Sequence, residues 1–166
     1  MHSRIFQIET HFCPKEEHIT QDGFAESSWF LDNIADYIDD TTPEYRIEDI
    51  ERLQSALGTE KIEWNLAAES FILREGFKEL FFAPYHEQFM KELEALTKTT
   101  TLEAFVNPNG PSDLAYSMYK LNRAYDEKFG FYIASNENEL QTLHQFIRYA
   151  EYDKPYYIGG ILDYHH

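Results

Sequence analysis

Polar and apolar residues alternate along Arg4-Ile5-Phe6-Gln7-Ile8-Glu9, the two-residue period of a half-buried strand. The stretch that follows, through Asp22-Gly23, is polar, is broken by Pro14, and reads as a loop. Ser27 or Ser28 then supplies an N-cap for a helix whose apolar residues Phe30, Ile34, Tyr37 and Ile38 fall at helical spacing. Thr42-Pro43 opens a second helix, with Pro43 at its first position and Thr41 and Glu44 in capping-box spacing. Ile47, Ile50, Leu53 and Leu57 form its apolar stripe, and Gly58 suits a left-handed terminus.

Lys61-Ile62-Glu63-Trp64-Asn65-Leu66 alternates again, and Ser70-Phe71-Ile72-Leu73 reads as its hairpin partner. From Phe77 to Leu96 the period turns helical, with Phe82, Phe89, Met90, Leu93 and Leu96 on one face and a break expected at Pro84. Asn107-Pro108-Asn109-Gly110-Pro111 is the strongest loop signal. Ser112 caps a helix through Leu114, Met118, Leu121 and Tyr125 that ends near Gly130. The last third reads as a strand at Phe131–Ala134 and a helix capped by Asn136 or Asn138, running through Leu140, Leu143, Ile147 and Ala150. It closes with a strand from Tyr156 to Tyr164, bulged at Gly159-Gly160.

These elements predict an α+β fold in one domain spanning residues 1–166. A small, mainly antiparallel or mixed sheet holds both terminal strands and is packed with about five helices. Neither a linker nor a repeat interrupts it.

Charge changes the picture more than any motif does. Thirty acids against 14 lysines and arginines give a net charge of −16 on 166 residues. That excludes a nucleic-acid binder that works by broad phosphate neutralisation, and it opposes docking on anionic membranes. Aromatics make up 16% of the chain and hydrophobic residues 43%, too apolar for a disordered acidic tail. No apolar run is long enough for a signal-peptide core or a membrane span, and Cys13 is the single cysteine, so a cytoplasmic location is expected.

The charge is concentrated early. Residues 1–60 hold 14 acids and 4 bases, net −10, whereas residues 61–166 hold 16 and 10, net −6. On the first expected helix Asp32, Asp36, Asp39 and Asp40 would share one stripe, extended by Glu48 and Glu51 of the next. The leading expectation is a non-enzymatic interaction protein that presents this acidic helical face to a basic protein surface. Carboxylates about 6 Å apart along a helix can stand in for phosphates in a groove that normally holds nucleic acid. Two blander readings compete with it: a solvated face that serves solubility, and a divalent-cation site at Asp32 and Asp36. Crowding should also raise the affinity of some of these carboxylates for protons. In size and acidity the chain resembles the small acidic antagonists and immunity proteins of bacteria and their phages, and no motif accompanies that resemblance.

Catalytic motifs are absent from the sequence. It has no phosphate-cradling glycine loop, no nucleophile elbow and no paired-histidine zinc motif. Two alternatives remain open. A small metal-dependent hydrolase could be assembled from the scattered His11, His18, His86, His144, His165 and His166 with Asp163. A self-associating homodimer could form through the aromatic C-terminal region, where Phe129, Phe131, Tyr132, Phe146, Tyr149, Tyr152, Tyr156, Tyr157 and Tyr164 cluster. Cys13 lies among Glu9, Glu16 and Glu17, which disfavour a thiolate. No cofactor is implied.

Overall fold

Among the described residues the chain forms, in order, β1 (His2–Glu9), α1 (Gln21–Phe24), α2 (Ser28–Asn33), β2 (Tyr37–Asp40), α3 (Arg46–Leu57), β3 (Ile62–Asn65) and β4 (Ser70–Leu73). It continues with α4 (Phe77–Thr99), α5 (Leu102–Val106), α6 (Leu114–Tyr125), β5 (Tyr132–Ala134), β6 (Gln141–Thr142), α7 (Leu143–Tyr149) and β7 (Pro155–His165). The structure, a computed structural model, describes residues 1–24, 28–107, 114–135 and 140–166. The caps expected at Ser27, Ser112, Asn136 and Asn138, and residues 108–111 of the expected loop, lie outside the described residues. The fold is α+β, and by contacts the chain divides into two compact units: residues 1–78 with 128–166, and residues 79–127.

The first unit carries the sheet, whose strand order is β3-β4-β7-β1-β5-β6, with β2 also pairing on β7. β1 and β5 are parallel, and every other pair is antiparallel. The two terminal strands are therefore central neighbours. β7 pairs with β1 along one edge and with β4 and then β2 along the other. Both faces of β1 are covered: Ile5, Phe6, Gln7 and Ile8 are all buried. On the Ile5 face, Phe30 and Ile34 from α2 and its end pack with Ile38, Tyr132, Leu162 and Tyr164. On the opposite face, Arg4 meets Asp49 of α3, and Tyr156 meets Phe146 of α7.

The bulge expected at the glycine pair is present, since the β1–β7 register shifts between Phe6 and Ile8. Gln7 sits there, fully buried. Its Oε1 accepts from the backbone N–H groups of Gly160 and Ile19, both at 2.9 Å. Its Nε2 donates to the Glu17 carbonyl at 3.0 Å and to Glu9 Oε1 at 3.3 Å. The loop after β1 thus lies directly over the bulge. A Cβ on Gly160 would stand 2.7 Å from the Ile19 carbonyl oxygen and 2.8 Å from its nitrogen, which only glycine accommodates. From the other side, Arg46 at the start of α3 donates to the carbonyls of Gly159 at 2.8 Å and Ile158 at 3.1 Å, and pairs with Glu69.

Four expectations need correcting. The helix expected to run through Ile38 ends at Asn33, and residues 37–40 form β2 against β7. Ile38 is buried in either geometry, so the apolar period could not distinguish them. The strand spreads acids that a helix would stack, and it stacks Tyr37 on His165 with centroids 5.5 Å apart. Second, α3 begins at Arg46 rather than Pro43, because Thr42–Tyr45 form a turn, and Ile47 is 70% exposed rather than in the core. Third, the last helix starts at Leu143, after β6, with Thr142 and Gln145 forming its capping box. Fourth, α4 runs unbroken past Pro84. Pro84 is on an exposed side of the helix, where water can satisfy the carbonyl it leaves without a donor.

The second unit is helical. Lys120 pairs with Glu92 at 3.1 Å, and Phe89 lies 6.2 Å from Tyr125 between ring centroids. Leu102, Phe105 and Val106 of α5 are more than 70% exposed.

Gly160→Ala tests the bulge. The added methyl meets backbone on the Ile19 segment, so the expected cost is about 1–3 kcal/mol, read as a lower midpoint in chemical denaturation. An unchanged midpoint would show that the loop after β1 is not held against the bulge.

Candidate functional site

Arg4 is the one lysine or arginine of the central strand β1, and Asp163 opposes it in the β1–β7 register. Its Nε donates to Asp49 Oδ1 at 2.7 Å, and its Nη1 donates to Asp163 Oδ1. Asp163 also pairs with His2 Nδ1 at 2.7 Å, and Asp49 lies 3.5 Å from Arg52 Nη1. Asp49 is fully buried, and among the described residues its Oδ2 has no hydrogen-bond partner. Burial pushes its carboxyl above the ordinary carboxylate range, against the opposing pull of Arg4.

The acids expected to share one helical stripe are spread over four segments. Asp32 lies on α2, Asp36 on the link to β2, Asp39 and Asp40 on β2, and Glu48 and Glu51 on α3; all six are exposed. Asp39 stands opposite Asp163 in the β2–β7 register, which puts it on the same face as Arg4 and Asp49. Glu48 is bound to Arg52 at 2.6 Å. The structure therefore brings Asp39 to the sheet face on which α3 carries Glu48, and not onto one stripe with Asp32.

Two members of the set have local duties. Asp40 Oδ1 accepts from the backbone N–H of Gln21 at 2.8 Å, which ties down the start of α1. Asp36 pairs with His165 Nδ1 at 2.8 Å, and that bond holds its carboxyl below the usual range. The direction at Asp36 is opposite to the rise expected from crowding. The hydrogen bond with His165 sets that direction. His165 in turn lies 5.1 Å from the His2 ring.

The other candidates scatter. His86 is exposed on α4, His144 is buried on α7, and His11 is exposed beyond β1. Among the described residues no three His, Cys, Asp or Glu side chains are placed to hold a metal ion. Burial and the nearby Glu9 and Glu17 push the Cys13 thiol up, away from the thiolate. Of the C-terminal aromatics, Tyr132, Phe146, Tyr156 and Tyr164 are core, while Tyr149 is 81% exposed. Among the described residues no helix is long and apolar enough to cross a membrane.

What sequence reasoning missed is the Arg4–Asp49–Asp163 network. Its signal was the one guanidinium of β1 and the one acid of β7.

The chain matches no protein-family model, no curated protein and no solved structure.

Two outcomes are expected at Asp49. Asp49→Ala leaves Arg4 partly buried with one carboxylate fewer, at a cost on the order of 3 kcal/mol in denaturant unfolding. A carboxyl whose folded-state pKa is raised binds its proton more tightly folded than unfolded. Its contribution to stability therefore grows as pH falls through the raised value and shrinks as pH rises. Compared with Asp49→Asn across that range, the wild type should gain relative stability from pH 7 toward about pH 4. A gap independent of pH would mean that Asp49 keeps an ordinary titration.

Proposed function

We propose that the protein acts by binding a basic partner surface, without catalysis, through the exposed carboxylates around β2 and α3. The observation that carries this reading is a mismatch between buried and exposed charge. Arg4 is committed to two carboxylates of low exposure, while Asp32, Asp39 and Glu51 face solvent. The exposed acids thus keep most of the early net charge of −10 without local neutralisation. Charge of one sign on one region speeds encounter with an oppositely charged surface and rejects others. A cationic groove that otherwise holds nucleic acid fits this chemistry, as it would for an inhibitor or immunity-type protein of bacterial or phage origin. A chain with one buried cysteine suits the cytoplasm.

The test replaces acids whose side chains bond, where they bond at all, only within their own element: Asp32→Asn, Asp39→Asn, Glu48→Gln and Glu51→Gln together. Asp36 and Asp40 are left in place because they hold His165 and α1. Immobilised wild type should retain a basic protein from source lysate at low salt and release it at about 0.5 M salt. The variant, melting at the wild-type temperature, should associate with that protein at least about tenfold more slowly. Equal association by the folded variant would refute the reading.

A further inference from the structure

The apolar residues of α4 are divided between two faces. Phe81, Phe82, Tyr85, Phe89 and Leu96 recur at helical spacing and are buried or half-buried, whereas Met90 is 49% exposed and Leu93 36%. Those two stand at the centre of a second row, His86, Met90, Leu93 and Thr97, spaced i, i+4, i+7 and i+11 and exposed throughout. Each member is followed in sequence by a charged residue: Glu87, Lys91, Glu94 and Lys98, also exposed. α4 therefore carries a seam with an apolar centre, edged on one side by a ladder whose sign alternates at every step. Both rows meet in one open groove, lined by Met90, Lys91, Leu93, Glu94, Thr97 and Lys98.

Read in reverse, the ladder is its own complement. Two antiparallel copies of α4, related by a two-fold axis crossing the helix at Glu92, set Lys91 against Glu94 of the second copy and Glu87 against its Lys98. The same axis sets Met90 against Leu93 of the second copy and His86 against its Thr97. Both rows are satisfied to within one residue's rise, about 1.5 Å. A two-fold contact demands this property, because a surface that pairs i with j must also pair j with i. Parallel pairing in register fails, since it sets each charge against its own kind. The bond that Lys98 Nζ makes to Glu94 at 2.5 Å joins side chains 70% and 68% exposed, so little is lost when they exchange it for partners across the interface. Net charge points to the same unit. Residues 79–127 hold 8 acids and 4 bases, net −4, against −12 for the remaining 117 residues, so two copies meet there with least repulsion.

We propose that this face of α4 is a self-association surface, pairing antiparallel with α4 of a second copy through Met90, Leu93 and the Glu87–Lys98 ladder. The ladder spans about 17 Å of helix, which suits a weak, reversible dimer. None of the acids on β2 and α3 takes part, so this contact and the binding of a basic partner stand or fall separately.

Sedimentation equilibrium of the full chain, loaded from about 10 μM to about 1 mM, tests the proposal. The wild type should follow a single monomer–dimer equilibrium. Lys91→Glu and Glu94→Lys each bring like charges together between identical copies, and each should weaken association at least about tenfold. Mixed in equal amounts, the two variants have opposite charges at both crossings, and they should associate with each other about as tightly as the wild type does with itself. Leu93→Ser should weaken the dimer without rescue by either charge variant. All three positions are exposed, so the variants should melt near the wild-type temperature. A monomer at every loading overturns the proposal. A dimer that all three variants leave unchanged also overturns it, by placing the interface elsewhere. A dimer weakened by both charge variants and not rebuilt by mixing them overturns the antiparallel pairing.

Discussion

A strand buried on both faces has no room for a side chain that still wants water, yet β1 places a glutamine at its centre. Gln7 is tolerated because all its polar capacity is used: two backbone N–H groups on its oxygen, a carbonyl and a carboxylate on its nitrogen. Burying such an amide without partners would cost several kcal/mol. The partners exist only if β7 bulges at Gly159-Gly160 and the loop after β1 folds back over the bulge. The bulge in turn lets β7 offer its far edge to β4 before it and to β2 after it. It also turns the carbonyls of Ile158 and Gly159 toward Arg46. The position of α3, and with it Asp49 and Glu48, follows from how that one amide is satisfied.

The acidity of the chain has an interior counterpart with a different logic. Arg4, Asp49 and Asp163 form a pair-and-a-half: one guanidinium serves two carboxylates, and one oxygen of Asp49 is left over. Such a network is weak evidence for stability, because desolvation consumes much of its Coulomb gain. Its effect is on position. It fastens α3 to the face of β1 and β7, at the end of the sheet where β2 joins. The exposed carboxylates of β2 and α3 are thereby held at one end of the sheet.

Much of the fold was legible in the sequence because local signals agreed there with tertiary demand. β1 and β3 alternate, β4, β5 and β7 are apolar runs bounded by turn residues, and each lies near where it was expected, although β1 is buried on both faces rather than one. The glycine pair in an apolar strand announced its bulge. The failures occur where one pattern satisfies two geometries. Phe30, Ile34 and Ile38 are spaced for a helix, but Ile38 reaches the same core from a strand, and the choice was made by a partner strand more than 120 residues away. The acidic set was correctly seen as exposed, but its stripe depended on that helix and dissolved with it. Asp49 was legible as an acid on α3 and not as a buried one, since burial depended on meeting Arg4 across the sheet. Nor could the parallel pairing of β1 with β5 be read from sequence, because strand order is a purely tertiary fact.

The placement of acids on β2 gives the surface a second meaning that is compatible with binding. β2 is a short strand paired only with β7 among the described residues, and a strand with an open edge invites pairing with another chain. Tyr37, Asp39 and Asp40 are exposed on it, and charged residues on an edge oppose that pairing. A second copy, itself carrying −16, is repelled from such a surface, while a basic partner is attracted to it. Solubility and recognition are therefore not rival explanations of the same carboxylates. One distribution of charge rejects like surfaces and admits unlike ones, and selectivity of this kind needs both the repulsion and the attraction. Any association between copies of this chain must then use a surface away from β2. The buried Tyr132, Tyr156 and Tyr164 cannot provide it, because the core of the sheet already occupies them.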